Sequence, residues 1–469
     1  MIELVVVLVG YLLLLGFVSL WSRIRTRVGD PVDYFIASRG LTGFISAMTY
    51  ATTTYSAFMM VGLVGLSYAT GVGALVFELS YLISTIAILS IVGVRIWEIS
   101  RERGYITPTQ LLRDMYGSYW ATVFVVFMIA IALIPYSSVQ IIGPAVILSG
   151  ISRGAIDYQT AATISAIVII LTTLTAGMRS IAWTDAVQGF IMIFSAVAFL
   201  LWLAVRLPPE AISSLGDLGL LSPLNSFWTP YTLIAYTTPW IFFAITNPQV
   251  FQKLYIPKDR RAYTRMVLYF SIFGLAYTII SVLVGLIARG LEETGVLDIR
   301  IDRDWNKVTP QLLSSTPIIL TALVGISILA AATTTINSIV LTISSMISYD
   351  TPVPERIKLL IGKIMVVILT LIVYLFALAR PGFVVDLAVA SSTILLPLLP
   401  LYLFSIYGRA NKISYIATVF ICLPLSLYMV LARVVTAYIP RELVILLLSL
   451  IVYLVALLPS RILGRSARR

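Results

Sequence analysis

Long apolar segments, separated by short polar ones, recur along the whole chain of 469 residues. A helix needs about 20 predominantly apolar residues to cross the hydrocarbon core of a bilayer. Read by hydropathy, the pattern predicts an all-α polytopic membrane protein with about 13 transmembrane helices. The predicted spans begin near Ile2, Leu41, Val72, Ser118, Ile156, Ala182, Pro230, Arg265, Pro317, Lys363, Phe383, Ser414 and Leu443.

The composition agrees with this pattern. Hydrophobic residues make up 59% of the chain and charged residues 11%, whereas a soluble domain carries about 25% charged residues. The polar connections are too short to form a separate soluble domain of ordinary size. We therefore expect a single membrane transport domain over residues 1–469.

The positions of the basic residues predict the orientation of the chain. The first span is preceded by Glu3 and followed by Arg23, Arg25 and Arg27, which is typical of a retained anchor with its N-terminus outside. Carried along the chain, this alternation places most of the 32 Lys and Arg residues on the inner side. The net charge of +11 is thus explained by membrane topology, and we expect a lipid bilayer, not nucleic acid, as the partner. The prediction is a multi-pass protein of the cell membrane with a cytoplasmic C-terminus.

Several kinds of chemistry are disfavoured by what the sequence lacks. It contains no histidine, and Cys422 is its single cysteine. Histidine zinc sites, HExxH metalloprotease chemistry and intramolecular disulfides are therefore excluded. No GxxxxGK[ST] motif is present, which disfavours transport driven by ATP. We predict that the protein is not an enzyme and has no cofactor beyond a coupling ion.

Two of the predicted spans contain residues that are unusual in a plain membrane helix. Hydroxyl-bearing residues dominate the second span from Thr49 to Ser56, and the seventh contains Pro239 and Pro248. Proline removes a helix hydrogen bond, and freed backbone groups within the membrane need protein or water partners. We therefore expect broken helices around a site. The alternative is that membrane helices tolerate Pro, Ser and Thr here without a break, because the Ser and Thr hydroxyls bond to the preceding turn.

The two interrupted spans occupy matching places in the chain. One opens residues 41–205 and the other opens residues 230–407, so the chain divides into two blocks of five spans. This arrangement is typical of inverted-repeat transporters with a site near the membrane midplane. Residues 1–20 then form an N-terminal helix, and residues 414–459 form two C-terminal helices.

The ninth span contains a third polar cluster. Thr334 and Thr335 follow three alanines there and offer adjacent hydroxyl oxygens. Hydroxyls and carbonyls at a helix break can coordinate a small cation such as Na⁺ without a buried carboxylate. The alternative is helix–helix packing, which we prefer for Ser344 and Ser345.

Few charged residues are expected within the membrane. Glu78 lies inside the third span, where a carboxylate costs about 2.5 to 3.5 kcal/mol, so we expect it to line a cavity, pair with a cation or bind protons. Asp185 lies near the inner end of the sixth span with Arg179 close by in sequence, so either an ion pair or a transport role is open. Asp386, near an outer helix end, is expected to form a cap or gate contact.

Six sequence fragments together resemble the sodium:solute symporter family, whose members include proline and pantothenate permeases and sodium/sugar cotransporters. They are DYFIASRGLTGFISAMTYATTTYSAFMMVGLVG, ITPTQLLRDMYGS, IPYSSVQIIG, GMRSIAWTDAVQGFIM, NPQVFQKLYIPKD and LAAATTTINSIVLTISS. The resemblance covers nearly the whole chain. It implies a leucine-transporter-type inverted-repeat fold of 13 helices and transport by alternating access.

The resemblance also implies a sodium site. In the family this site uses backbone carbonyls at the break in the second span, and the matching positions are Thr52 and Tyr55. The ninth span contributes a carbonyl that matches Ala331 and two hydroxyls that match Thr334 and Thr335. These five positions are therefore the expected sodium ligands.

Other family positions suggest the substrate path. Asp185 matches an aspartate implicated in sodium-dependent function, Trp240 and Tyr136 match aromatic pocket positions, and Glu78 falls near a sugar-contacting glutamate. One departure is Thr54, where proline permease has an aspartate. The full sugar-binding set is also not recognisable, which argues against a sugar substrate.

These observations predict secondary active transport. We expect Na⁺-coupled symport of a small polar organic solute such as an amino acid, a carboxylate or a related metabolite. One alternative is proton coupling through Glu78 or Asp185. Another is a membrane sensor that keeps the fold but does not transport.

Overall fold

The computed structural model describes residues 2–23, 30–152, 155–175, 177–301, 303–379 and 382–466. These residues form helices and no strand, apart from one isolated bridge between Leu41 and Pro257. Arg25 and Arg27, which contributed to the predicted orientation, lie outside the described residues.

Ten α-helices lie within the described residues up to Ala204. They are α1 (Ile2–Arg23), α2 (Pro31–Ile36), α3 (Gly43–Thr54), α4 (Val64–Thr70), α5 (Gly73–Ile88), α6 (Val94–Arg103), α7 (Pro108–Tyr116), α8 (Tyr119–Ile151), α9 (Tyr158–Thr175) and α10 (Met178–Ala204). A 3-10 turn spans Ala37–Arg39, and π-helical turns span Phe58–Leu63 and Leu89–Gly93.

Thirteen further α-helices follow. They are α11 (Glu210–Asp217), α12 (Pro230–Ile241), α13 (Phe243–Thr246), α14 (Pro248–Lys253), α15 (Arg260–Glu293), α16 (Val308–Ser314), α17 (Ile318–Asp350), α18 (Lys358–Leu378), α19 (Val384–Ile394), α20 (Leu398–Ile406), α21 (Lys412–Ala417), α22 (Leu423–Leu431) and α23 (Arg441–Ser466). Shorter 3-10 turns span Trp305–Lys307 and Glu355–Ile357, and a π-helical turn spans Thr418–Cys422.

Many of these helices are long and apolar enough to cross a membrane. Within the described ranges, eight helical segments pass by length and composition, and a ninth passes if α19 and α20, bent by 51°, form one span. Each of the thirteen predicted segments contains helix. The exact number of membrane crossings stays a prediction.

Both spans predicted to be broken are interrupted. The helix α3 ends at Thr54, and Tyr55 has the non-helical angles φ −87° and ψ 87°. In the seventh span the chain leaves helical geometry at Asn247, with φ −95° and ψ 111°, before α14. Pro239 lies inside α12, which ends two residues later at Ile241. The interruption therefore falls just beyond the proline and not at it.

The helix α17 lies at the centre of the packing. It contacts α8, α9, α10, α18 and α3, while α3 itself packs against α15 and α10. The three alanines Ala330, Ala331 and Ala332 are buried in α17, and such small side chains let neighbouring backbones approach closely. This packing brings the break in α3 beside the middle of α17.

Candidate functional site

The break in α3 lies against two hydroxyl groups of α17. Thr334 Oγ1 donates a hydrogen bond to the backbone oxygen of Thr52 over 2.8 Å. Thr335 Oγ1 lies 3.1 Å from the backbone oxygens of both Thr52 and Thr53. Because α3 ends at Thr54, these carbonyls are free of the helix's own ladder. Oxygen atoms of two helices therefore meet at one point.

One of the other two predicted ligands, Ala331, meets the same hydroxyl group, and Tyr55 follows in sequence at the break. Thr334 Oγ1 also lies 3.0 Å from the backbone oxygen of Ala331. Tyr55 lies at the break itself, and its ring packs on α15 at Gly274, where an added Cβ would be 2.3 Å from the Tyr55 hydroxyl oxygen. Four of the five residues predicted to bind sodium are thus joined by hydrogen bonds, and Tyr55 lies beside them at the break.

This oxygen cluster is buried and carries no formal charge. Thr52, Ala331, Thr334 and Thr335 are all 0% exposed. Within the described ranges, no group of three or more His, Cys, Asp or Glu side chains lies close enough to hold a metal ion. Carbonyl and hydroxyl oxygens can nevertheless coordinate a small hard cation, as they do at unwound helices of other transporters. The cluster has the chemistry of a Na⁺ site.

The residues predicted for the substrate path line one small cavity of ≈ 10 Å³. Glu78 comes from α5, Tyr136 from α8 and Trp240 from α12. The complete lining consists of Thr54, Phe58, Glu78, Tyr81, Tyr136, Trp240 and Phe243. The three predicted residues are therefore brought together, with Thr54 and three more aromatic side chains around them.

Hydrogen bonds hold one wall of the cavity to the break in α3. The Tyr136 N–H, directly after Pro135 in α8, donates to Ser391 Oγ of α19 over 2.9 Å. Gln140 Nε2 donates to the Tyr136 carbonyl, and Gln140 Oε1 accepts from the Ala57 N–H at 3.3 Å. The cavity wall and the oxygen cluster are thus mechanically linked through the same broken helix.

Aromatic side chains separate the cavity from the loops that precede α12 and α16. Ring contacts lead from the cavity to a larger vestibule of ≈ 980 Å³, which Trp305, Phe383 and Asp386 help to line. The rings in this chain of contacts are Trp240, Phe77, Tyr236, Phe227, Trp305 and Phe383. Asp386, predicted to form a cap or gate contact, accepts a hydrogen bond from the Tyr236 hydroxyl at 2.7 Å.

Asp185 lies near the oxygen cluster but has a partner that the sequence did not indicate. Its Oδ2 accepts a hydrogen bond from Thr49 Oγ1 at 2.5 Å and lies 3.9 Å from Lys253 Nζ. Lys253 also donates to Thr49 Oγ1 at 2.8 Å. The alternative of an Asp185–Arg179 ion pair is wrong, because Arg179 pairs with Asp33 at 2.9 Å. Thr49 stands one helical turn before Thr52.

Sequence reasoning missed Lys253 and two further contacts. Lys253 is 0% exposed and lies at the end of the predicted seventh span, five residues after Pro248. Thr53 Oγ1 lies 2.9 Å from Ser338 Oγ, which joins α3 to α17 a second time. Thr342 Oγ1 donates to Gln252 Oε1 at 2.6 Å. A lysine inside a predicted span, close to a helix-breaking proline, was the signal in the sequence that could have indicated it.

Comparison with known proteins identifies relatives over most of the chain. The model of the sodium:solute symporter family matches residues 34–414. The sodium/pantothenate symporter of Escherichia coli (strain K12) is 27% identical over 242 residues, which cover 48% of this chain and 50% of that protein. Sodium/glucose cotransporter 2 of Rattus norvegicus is 27% identical over 196 residues, covering 41% of this chain and 28% of that protein. The chain thus spans half or less of the length of these curated relatives.

A solved structure shows the same fold over nearly the whole chain. It is the substrate-bound, outward-open state of a Na⁺-coupled sialic acid symporter, with a TM-score of 0.79 and 18% sequence identity. The match covers 97% of this chain and 96% of that one. The expected all-α, leucine-transporter-type fold is therefore confirmed. Together with the family match, it follows that this chain is a multi-pass membrane protein belonging to the sodium:solute symporter family.

Proposed function

We propose that the protein is a Na⁺-coupled symporter that moves a small polar organic solute across the cell membrane by alternating access. Na⁺ binds at Thr52, Tyr55, Ala331, Thr334 and Thr335, and the solute binds in the cavity lined by Glu78, Tyr136 and Trp240. Residues 41–205 and 230–407 act as the two repeats. The family is one of transporters, not enzymes.

The observation that supports Na⁺ coupling most directly is the oxygen cluster between α3 and α17. The hydroxyls of Thr334 and Thr335 now donate to the carbonyls at the break. A bound cation would take the place of those hydrogens, and the hydroxyl lone pairs would turn towards it. Na⁺ would then tie α17 to α3 more firmly than hydrogen bonds do, which favours one arrangement of the two helices.

The short distance along α3 supports coupling between ion and solute. Thr52 belongs to the oxygen cluster and Thr54, two residues later, lines the cavity. Any shift of the break on Na⁺ binding therefore changes the cavity wall. If Na⁺ binding strengthens solute binding in this way, then by thermodynamic linkage solute binding must strengthen Na⁺ binding by the same factor.

The energy available from Na⁺ is sufficient for accumulation. A tenfold Na⁺ gradient provides about 1.4 kcal/mol, and a membrane potential of about 100 mV provides about 2.3 kcal/mol per charge. One Na⁺ per solute could therefore support accumulation of roughly several hundredfold. ATP is not required for such transport.

The test is uptake by the purified full chain in proteoliposomes. A panel of labelled solutes that includes pantothenate, sugars, amino acids and amines is offered with an inward Na⁺ gradient, an inward proton gradient, or neither. We expect uptake of at least one solute to depend on the Na⁺ gradient and to exceed equilibrium. Uptake driven only by protons would overturn Na⁺ coupling, and gradient-independent solute binding without uptake would indicate a sensor.

Proton coupling is the second candidate, and one observation favours it. Lys253 and Asp185 face each other across Thr49 one helical turn from the sodium cluster. The Lys253 ammonium group could supply part of the positive charge that a bound Na⁺ would bring to this site. Protons exchanged with the Lys253–Asp185 pair could then replace Na⁺ as the driving ion. The proton arm of the same uptake experiment tests this candidate.

We also propose that the N-terminus lies outside and the C-terminus in the cytoplasm. Single cysteines at the exposed positions Glu102, Arg261 and Val296, introduced into a Cys422→Ser background, test this topology. In intact cells an impermeant thiol reagent should label Val296→Cys and leave Glu102→Cys and Arg261→Cys unlabelled until the cells are opened. The reverse labelling pattern would invert the topology.

A further inference from the structure

The cavity contains a buried carboxyl group that its lining leaves partly unsatisfied. Glu78 is 2% exposed, and its Oε2 has no hydrogen-bond partner among the described residues. The Trp240 side chain lines the same cavity, but an indole N–H is a neutral donor. A buried carboxyl group of this kind either takes up a proton or pairs with a positive charge. A cationic group is therefore one partner that would satisfy it.

No residue of the cavity supplies that charge. Glu78 is the single carboxyl group in the lining, and the other lining residues are Thr54 and five aromatic side chains. In the described part of the chain, Glu78 takes part in no salt bridge with lysine or arginine. The nearby cation Lys253 is already engaged by Thr49 and Asp185.

Five aromatic residues line the cavity together with Glu78, and we refer to them as the aromatic cage. The ring centroid of Trp240 lies 5.5 Å from that of Phe243 and 5.6 Å from that of Phe58. Phe243 in turn lies 5.8 Å from Tyr81 and 6.2 Å from Tyr136. Faces of Trp, Tyr and Phe attract cations, and several of them around one point form the usual recognition site for ammonium groups.

We propose that the solute carried by this protein is a small organic cation, whose positively charged nitrogen sits in the aromatic cage against Glu78. This inference rests on the proposed transport function and adds the chemical class of the substrate. A neutral polyol would leave the carboxylate without charge compensation. An anionic solute would be repelled by Glu78. A cation both offsets the buried charge and uses the aromatic faces.

The size of the cavity limits the cation further. The lining side chains are all less than a tenth exposed and leave only ≈ 10 Å³ open between them, so they must move apart to admit a solute. The hydroxyl of Thr54 donates to the Tyr50 backbone oxygen at 2.9 Å and so stays oriented towards its own helix. The binding site thus offers one anionic group and apolar walls, which suits a compact amine or quaternary ammonium compound.

The test compares cationic probes with neutral probes of similar shape. The two cationic probes are tetramethylammonium and ethanolamine, and their neutral counterparts are tert-butanol and ethylene glycol. Pantothenate and galactose are tested as further solutes. The melting temperature of the purified full chain is measured in Na⁺ buffer at constant ionic strength as each probe is added. We expect saturable stabilisation by at least one of the two cations and none by its neutral counterpart; which cation acts distinguishes a quaternary from a primary ammonium substrate.

Variants at Glu78 assign the effect to this carboxyl group. Glu78→Gln keeps the shape and removes the charge, so the apparent Kd of the cation should rise by about tenfold or more, as loss of a charge-assisted contact predicts. Glu78→Asp keeps the charge and should be milder. The absence of any cation-specific shift in the native chain would overturn the proposal, as would an unchanged cation Kd in a folded Glu78→Gln variant.

The outcome is separable from that of the proposed function. The titration is repeated with K⁺ in place of Na⁺. If the organic cation binds equally well in both buffers, the proposed substrate class stands, but the support for Na⁺ coupling is lost. Conversely, Na⁺-driven uptake of pantothenate or galactose, with no response to either cation, would leave the symporter function standing and overturn the cationic substrate.

Discussion

Replacing Thr334 and Thr335 together by valine should raise the Na⁺ concentration for half-maximal uptake by well over tenfold. Each hydroxyl now lies within 3.1 Å of a carbonyl at the break in α3, and valine removes the oxygen while almost keeping the shape. Taking each ligand as worth at least about 1.4 kcal/mol, one substitution alone costs about tenfold. The measurement is Na⁺ activation of uptake in proteoliposomes.

The conservative replacement distinguishes coordination from packing. Thr334→Ser and Thr335→Ser keep the oxygen and lose a methyl group, so their effect on Na⁺ activation should be small. If the hydroxyls only hold the helices together, the valine variants should instead lose stability while Na⁺ activation stays unchanged. A folded double valine variant with normal Na⁺ activation would therefore contradict the sodium site and favour proton coupling.

A suitable control is Thr370→Val in α18. Thr370 is buried, and its hydroxyl donates to the Val366 backbone oxygen of its own helix at 2.8 Å. Thr342, on the same helix as the two proposed sodium ligands, is unsuitable, because it donates to Gln252 Oε1 and its replacement would disturb α14. Thr370→Val should leave Na⁺ activation within about twofold of the native value, since it removes no proposed ligand.

The sequence allowed the broken helices and the oxygen cluster to be predicted for a physical reason. Hydroxyl-rich or proline-containing stretches within a membrane need partners for freed backbone groups, and the partners of Thr52 and Thr53 are the adjacent hydroxyls Thr334 and Thr335. The proposed ligands lie on two helices with recognisable sequence motifs, so the family resemblance could indicate them residue by residue.

The partners of charged residues could not be predicted in the same way. Asp185 and Arg179 are close in sequence, yet their side chains belong to different clusters because Arg179 reaches Asp33 in α2. Lys253 reaches Asp185 only because the interruption at Asn247 redirects α14 towards α3. Which charge meets which depends on the three-dimensional path of the broken helices, and local sequence does not contain that information.

This pairing makes Lys253 the position at which a single substitution should destabilise the fold most. Lys253→Met fills a similar volume but leaves the buried carboxylate of Asp185 without a cation, and removal of one partner of a buried pair costs about 3–5 kcal/mol. We expect a clear fall in the melting temperature of the purified protein. Lys258→Met, which removes an exposed lysine 3.9 Å from Asp259, is the matched control and should change stability by less than about 1 kcal/mol.

The double variant Lys253→Met, Asp185→Asn decides whether the pair itself is responsible. Because it removes both charges, it should recover most of the stability lost in Lys253→Met, so the two single effects should not add. Simple additivity would show that Lys253 contributes through other contacts, for example with Met178 Sδ at 3.2 Å, and not through Asp185.

The same double variant, if it folds stably, also tests whether the pair has a role in transport. If Asp185 takes part in Na⁺ coupling, the double variant should bind solute but lose Na⁺-driven accumulation. If the pair is purely structural, the same variant should transport at the native rate.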